Sequence, residues 1–559
     1  MAAFEEEVSD LLKVDTGLDE VKLEVPPNPT MGDFAFACFN LAKEKKKSPV
    51  EIAKELCESL PASSLVEKVQ ALGPYVNIFL NKPAIAEQIL GEVVAKGNKF
   101  GHKEPTGHVA VVEFSAPNIA KPFGIGHLRS TVIGNSLVKL YKTAGYTVVA
   151  ANHYGDYGTQ FGKMIVAYKL WGEESKLQDK PIDYLYSLYV QFHKEAEQNE
   201  KLNEEAREWF AKLEAGDGEA VKLWEMFREL SLFEFNRVYD LLQVSFDTHH
   251  GEAFYTSRLM GDVETVKKAG IAEMSEGALI VDLSDINCPP LMLLKSNGTS
   301  TYHTRDLAAA FYRLDEHKPD KLVYVVGSEQ QLHFKQLFTV MGMLGHPLEK
   351  FEHVSFGRVN LPEGKMSTRK GTIVLMEHVL DKSVQLALKI INEKNPKLKN
   401  KEQVAKWVGI GAVVFGDLVN DRNKDVTFSW ERILDFEGET GPYLQYTHAR
   451  AGSIIRKAGG DVKHDVEWGN FNQQEEYNVI MQLTRYESVL EDCVKNSKPH
   501  ILCHYLLTLA QSFNEFYHKC PVISDRADIQ KARLLLVFCV QQVLKNGLGL
   551  IGLHAPDEM

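Results

Sequence analysis

The 559-residue sequence predicts a multidomain protein that joins α/β and all-α units. VAVVEF, from Val109, and KLVYVVG, from Lys321, are apolar without alternation, the pattern of parallel strands covered by helices on both faces. Charged helical sequence interrupts the strand and helix alternation between about 170 and 260, and from about 380 onward nearly everything reads as helix. A Rossmann-like parallel sheet with a helical insertion, a small α+β N-terminal domain and a C-terminal helical bundle account for these patterns. Boundaries are expected at 1–104, 105–380 and 381–559. A chain of this length is too long for one core, and about three domains is the ordinary division.

In MGDFAFACFNLAKEKKKSPVEIAKELCESL a Gly-Asp turn precedes two amphipathic helices separated at Ser48-Pro49, and GPYVNIFLN has strand character. Phe34, Phe36 and Phe39 fit the core of this first unit. After VAVVEF comes SAPNIAKPFGIGHLRST, which opens a helix through Gly124, Gly126 and His127. The glycines let the backbone approach a ligand, a new helix points unpaired N–H groups at it, and His127 can donate to a phosphate oxygen. Lys121 and Arg129 add positive charge there. The run lacks the third glycine of a dinucleotide fingerprint and the Gly-Lys-Ser/Thr of a P-loop. Within the insertion, Leu223, Trp224, Phe227, Leu230 and Phe233 fall near helical spacing and predict a core stripe.

Glu113 ends VAVVEF, where an uncompensated carboxylate costs several kcal/mol. Either an internal Lys or Arg or a ligand cation answers it, and open α/β sheets hold ligands at the carboxyl ends of such strands. Asp306 begins the helix of TYHTRDLAAAFYRL, where stabilising a helix N-terminus would be role enough. VVGSEQQLHF reads as a strand-to-helix loop in which Glu329 and Gln330 could cap the helix. Tyr443, Tyr446 and Arg450 share one helical face, suited either to a core or to stacking on unpaired bases and gripping phosphate.

The composition, 44% hydrophobic and 25% charged, is that of a folded protein. No apolar run reaches the length of a membrane span, and the start, MAAFEEEVSD, has neither the basic flank of a signal nor the arginines of a transit peptide, so a cytoplasmic location is expected. Seven cysteines are scattered with no C-x-x-C pair, and there is no H-E-x-x-H, so no structural metal is expected. Cys503 and Cys539 lie in apolar helical stretches and read as core. A net charge of −13 argues against a wholly basic nucleic-acid binder, yet leaves room for one basic surface.

GIGH at 124–127 and, far downstream, GKMSTRKGT with Lys365, Met366 and Ser367 resemble in order and spacing the HIGH and KMSKS motifs of class I aminoacyl-tRNA synthetases. Gly124 replaces the first histidine of the first motif, and Thr368 the second lysine of the second, with Arg369 and Lys370 following. Lys121 then becomes the candidate for the missing charge. This pattern, with the Tyr-x-Thr-Arg-Asp run, resembles the arginyl-tRNA synthetases, and the likeness covers nearly the whole chain.

The resemblance implies ATP-dependent activation of L-arginine and its transfer to the 3′-terminal ribose of tRNA(Arg), with Mg²⁺ arriving with ATP and the enzyme acting as a monomer. It places His127, Lys121, Lys365 and Lys370 at the triphosphate, and Gly124, Gly126, Gly327, Glu329, Met366 and Ser367 around ATP. Glu113, Asn118, His153, Tyr302, Asp306 and Gln330 would hold arginine, with Gln160 lining the pocket. Tyr302 would pack on the flat guanidinium and Asp306 accept its fork of hydrogen bonds, a geometry that a lysine ammonium cannot fill. Tyr75 and Asn77 would meet the tRNA elbow, and Tyr443, Tyr446 and Arg450 the anticodon.

Overall fold

The structure, a computed structural model, describes the chain apart from residues 1, 27, 29, 30, 62, 179, 361–373, 428–434 and 436–437. Its N-terminal unit runs through α1 (Ala2–Thr16), β1 (Leu23–Glu24), β2 (Phe34–Ala37), α2 (Phe39–Lys45), α3 (Pro49–Ser59), β3 (Val66–Leu72) and β4 (Tyr75–Leu80). The four strands form an antiparallel sheet in the order β1-β2-β4-β3. Helix α3 starts at Ser48 because the Ser48 side chain and Glu51 cap each other's backbone and Pro49 pre-sets the first turn. Strand alternation buries Phe34, Phe36, Val76 and Ile78 against the helices and leaves Tyr75 and Phe79 on the open face. Phe39, expected in the core, is instead 51% exposed. It opens α2 just past the end of β2, where it meets the edge of the Tyr75 ring at 5.9 Å.

Helix α4 (Lys82–Lys96) leads into the central unit. There β5 (Val109–Glu113), α5 (Leu128–Thr143) and β6 (Thr147–Asn152) form the first crossover. The insertion follows as α6 (Thr159–Trp171), α7 (Pro181–Ala196), α8 (Lys201–Glu214) and α9 (Gly218–Leu242), before β7 (Thr248–His249) and α10 (Leu259–Lys268). Phe227 is buried as the stripe predicts, but Phe233 is 64% exposed. The buried positions of α9 run 227, 231, 235, 238, 242, and a residue two places from 231 and 235 falls on the opposite side.

A small antiparallel sheet of β8 (Ala272–Ser275), β9 (Ala278–Val281) and β10 (Leu291–Leu294) comes next. Glu276 and Gly277, both with positive φ, make the two-residue turn between β8 and β9. The main sheet then resumes with α11 (Tyr302–His317), β11 (Lys321–Tyr324), α12 (Gln331–Met343) and β12 (Phe351–His353). Its order is β12-β11-β5-β6-β7, with all pairings parallel. The chain leaves β5 toward one edge and returns at β11 toward the other, so a crevice opens at the carboxyl ends of β5 and β11, where Glu113 and Tyr324 are level.

Strand β13 (Val359–Asn360), helices α13 (Met376–Lys394) and α14 (Lys401–Leu418) and β14 (Val426–Thr427) complete the run, with β13 and β14 pairing in parallel. The C-terminal bundle packs helices Gly441–Lys457, Gln474–Leu483, Tyr486–Asn496, His500–Lys519 and Ala527–Leu550. Cys503 and Cys539 are fully buried in it. Among the described residues no helix is long and apolar enough to cross a membrane.

Candidate active site

The loop after β5 and the first turn of α5 form one wall of the crevice. Asn118 bridges in parallel to Gly155, beyond β6, so closely that a Cβ on Gly155 would lie 2.5 Å from Asn118 Oδ1. Gly124 has ordinary extended backbone, so its glycine identity is not set by conformation. Gly126 is exposed, and a Cβ there would meet nothing within 4 Å among the described residues, so space is open beside the helix start. His127 lies half-buried against Phe123, its Nδ1 3.3 Å from the Gly124 carbonyl. Burial, reinforced by the nearby Lys121 ammonium, pushes its imidazole down to about 4, so the ring is neutral at pH 7. Lys121 Nζ also rides 5.4 Å from the Tyr189 ring of the insertion.

Lys365, Met366, Ser367 and Lys370, with Thr368 and Arg369, lie outside the described residues. The flanks of that segment nonetheless meet the first motif. Ile125 N–H donates to Val374 O and Met376 N–H to Phe123 O, each at 2.9 Å. On the other flank, Arg129 donates to the Gly357 carbonyl at 3.0 Å.

The acidic residues divide into two situations. Glu113 is buried and ion-paired with Arg313, itself 2% exposed. Of the two countercharges the strand left open, the structure shows an internal one: α11 brings the arginine to the buried end of β5. Asp306 is different. It sits one turn into α11, whose start is already served by Thr301 and Thr304, so capping does not account for it. Its two oxygens face His333 Nε2 at 2.7 Å and His153 Nε2 at 3.4 Å. Burial opposes its charge, but these imidazoles outweigh burial and hold the carboxyl well below its usual range. His153 is raised in turn: burial lowers it, and Glu113 with Asp306 more than compensate.

Tyr302, half exposed, lays its ring 3.9 Å from His303 and 4.9 Å from His333, over the Asp306 side of the crevice. Gln160 reaches back to the Gly155 carbonyl at 3.5 Å. At the end of β11, Gly327 bridges to Phe356, and the Glu329 carboxylate folds back to within 2.5 Å of where a Cβ would sit. Glu329 and Gln330 are exposed and neither caps the following helix.

Glu252, Arg305 and His333 escaped the sequence reading. Glu252 pairs with Arg305 at 2.6 Å, and burial raises its carboxyl, with Arg305 and His153 opposing and Asp306 adding to the rise. Its signal was the unassigned HHGE run, and His333 stood unremarked in the QQLHF patch. Around the crevice, then, Glu113, Glu252 and Asp306 gather with Arg305 and Arg313. Arginines answer the first two, and the Asp306 carboxylate at the rim is held by the imidazoles of His153 and His333.

In the bundle, Arg450 stacks its guanidinium 4.7 Å over Tyr446 and donates to Asn514, which in turn donates to Tyr443 Oη. Tyr443, Tyr446 and Arg450 line a cavity of about 440 Å³ together with Lys394 and Met559. In the first domain Tyr75 lies on the open sheet face, while Asn77, on the same face, is only 4% exposed between Ala35 and Gln70. Among the described residues no cluster of His, Cys, Asp or Glu is placed to hold a metal ion.

Comparison with known proteins places the chain in a family. Residues 89–430 match the family described as tRNA synthetases class I (R), catalytic domain; residues 1–80 match the arginyl tRNA synthetase N terminal domain, and residues 444–559 the DALR anticodon binding domain. The chain is 47% identical to an arginine–tRNA ligase of Clostridioides difficile over 100% of its own length and 98% of the relative's. It is 44% identical to that of Halothermothrix orenii over the whole of both chains. The fold matches the Thermus thermophilus arginyl-tRNA synthetase structure with a TM-score of 0.85, 27% identity and complete coverage of both. The chain belongs to the arginyl-tRNA synthetases, class I enzymes that use ATP to join L-arginine to tRNA.

Proposed function

We propose that arginyl-adenylate forms in the crevice beyond β5, β6 and β11, with the arginine guanidinium at Asp306 and its flat face against Tyr302. The observation that carries this is the ionised Asp306 at the rim, held by imidazoles and not by a lysine or arginine among the described residues, beside an exposed aromatic ring. An arriving guanidinium supplies a permanent charge and paired donors in place of the imidazoles. Glu113 serves at one remove, by fixing Arg313 and supporting the charge of His153. Asn118 and Gln330 take the α-amino and carboxylate end, with His153 and Gln160 completing the pocket.

A carboxylate oxygen of arginine attacks the α-phosphorus of ATP, the bond to the β-phosphate bridge breaks, and pyrophosphate leaves. A ribose hydroxyl of tRNA(Arg) then attacks the carbonyl carbon and AMP departs with the bonding pair. The enzyme's part is positioning and charge stabilisation. His127 is neutral before ATP binds. The triphosphate raises its pKa, so the ring donates to phosphate only once the ligand is there. Lys121, Lys365 and Lys370 bind triphosphate charge, Gly124, Gly126, Gly327, Met366 and Ser367 shape the nucleotide cradle, and Glu329 takes the ribose hydroxyls. Mg²⁺ enters as a companion of ATP.

Tyr443, Tyr446 and Arg450 take unpaired anticodon bases in the bundle cavity, and Tyr75 with Asn77 the tRNA elbow. In this reading the units 1–104, 105–380 and 381–559 divide elbow, chemistry and anticodon between them in a cytoplasmic monomer. ATP–pyrophosphate exchange with each of the amino acids in turn, with and without cognate tRNA, tests it. Exchange with arginine alone is expected, and exchange driven by another amino acid would overturn it.

A further inference from the structure

We propose that Ser231 and Tyr239, on insertion helix α9, are positioning residues that hold the left-handed loop after β5 and thereby set Asn118 and Lys121 for adenylate formation. This deepens the active-site reading above and rests on it. Three non-glycine residues of the loop have positive φ: Ser115 at 74°, Ala116 at 45° and Ala120 at 57°. L-residues avoid this region because Cβ crowds the backbone, and such conformations persist only where the surroundings over-determine them. Something must therefore pin the loop, and the pins are hydroxyl groups.

Ala120 N–H donates to Ser231 Oγ at 2.9 Å, and that hydroxyl donates to Phe227 O at 2.6 Å. Ser115 N–H donates to Ser130 Oγ at 2.8 Å, whose hydrogen goes to Val325 O. Ser115 Oγ lies 2.8 Å from both Thr131 Oγ1 and Tyr239 Oη. The direction of this chain follows from counting hydrogens. Thr131 donates to His127 O, so Ser115 must donate to Thr131, and Tyr239 to Ser115, while Tyr239 accepts from Asn152 Nδ2 at 3.0 Å. One directed line thus runs from the end of β6 through α9 and the strained loop to the carbonyl of His127. Ser115, Ser130, Thr131, Asn152, Ser231 and Tyr239 are all buried, so water does not compete for these bonds. Within this loop Asn118 bridges to Gly155 beyond β6 and Lys121 lies against Tyr189 of the insertion, so the placement of both inherits the loop's backbone.

The test is steady-state ATP–pyrophosphate exchange with arginine and cognate tRNA, paired with thermal melting, on Tyr239→Phe, Ser231→Ala and Ser231→Ala combined with Ala120→Gly. The two single variants should lose about ten- to a hundred-fold in kcat/KM while melting as folded proteins, as expected of a sub-ångström to ångström misplacement. Glycine accepts positive φ freely, so adding Ala120→Gly should restore most of the activity lost in Ser231→Ala. Folded single variants with wild-type exchange, or a double variant no better than Ser231→Ala, would overturn the proposal. Tyr239→Phe preserves shape and keeps the question answerable should Ser231→Ala unfold. Wild-type protein that fails to exchange with arginine would instead count against the active-site reading itself.

Discussion

At the scale of single residues, the distinction that matters is between a carboxylate whose partner is inside the protein and one left to the solvent edge. Glu113 and Asp306 look alike in the sequence, as acidic residues in apolar or helical runs, but among the described residues Arg313 answers the first and imidazoles answer the second. Asp306→Ala should therefore raise the KM for arginine by about ten- to a hundred-fold, the worth of a charged hydrogen bond, and leave the KM for ATP unchanged. Equal KM values for arginine in variant and parent would remove Asp306 from the pocket. His153 adds a pH dependence. Its pKa lies above the usual histidine value, since burial is outweighed by Glu113 and Asp306. In the proposed pose a guanidinium at Asp306 would compete for that carboxylate, so protonation of the ring and arginine binding would oppose each other. The KM for arginine should accordingly fall as pH rises from about 6 to 8. A flat profile in that window would show that the ring and the substrate do not share the carboxylate. His127→Ala, which removes the proposed phosphate donor, should lower kcat by about a hundred-fold with arginine binding spared, as measured by calorimetry.

At the scale of elements, local sequence explains where strands and helices start better than it explains which side they show. The runs at 109–113 and 321–324 form the adjacent central strands that continuous apolarity predicts, and Ser48-Pro49 starts a helix by capping. Phe233 and Phe39 are exposed because orientation depends on which neighbour an element packs against. Likewise α9 was legible as an amphipathic stripe, whereas Ser231 and Tyr239, which carry its bonds to the loop, look like ordinary members of that stripe. Helix Gly441–Lys457 makes the complementary point, since Tyr443, Tyr446 and Arg450 share a face by spacing but become a cavity wall only with Lys394 and Met559 opposite. Tyr446→Ala should raise the KM for tRNA by about ten-fold, the loss of one stacked base, and leave ATP–pyrophosphate exchange at saturating tRNA close to normal. An unaltered KM for tRNA would return Tyr446 to a packing role.

At the scale of the molecule, one buried ion pair ties the chemistry to the bundle side. Arg129, two residues after His127, is fully buried, with Nε 3.0 Å from Asp417 Oδ1 on α14 and further bonds to the carbonyls of Gly357 and Lys424. Burial pushes the Asp417 carboxyl up to about 6 even with Arg129 beside it, a sign of how dry the contact is. Removing one partner, as in Asp417→Ala, should cost about 3–5 kcal/mol in urea unfolding, because it strands a guanidinium charge. Replacing both with apolar residues of similar volume should recover most of that loss, and failure to recover would mean that the carbonyl contacts, not the charges, dominate.

The sequence by itself determined the fold class, the division into mixed and helical parts, and the short runs that meet around the crevice. These depend on local propensity, periodicity and the glycine-bounded entry to α5. Only the tertiary structure decided which charges cancel, because Arg313 and Arg305 of α11 reach Glu113 at the end of β5 and Glu252 in the loop after β7, while His333 of α12 reaches Asp306. Countercharge is a property of distance in space, and spacing along a chain does not encode it until parallel strands and their crossovers have brought remote segments to one edge.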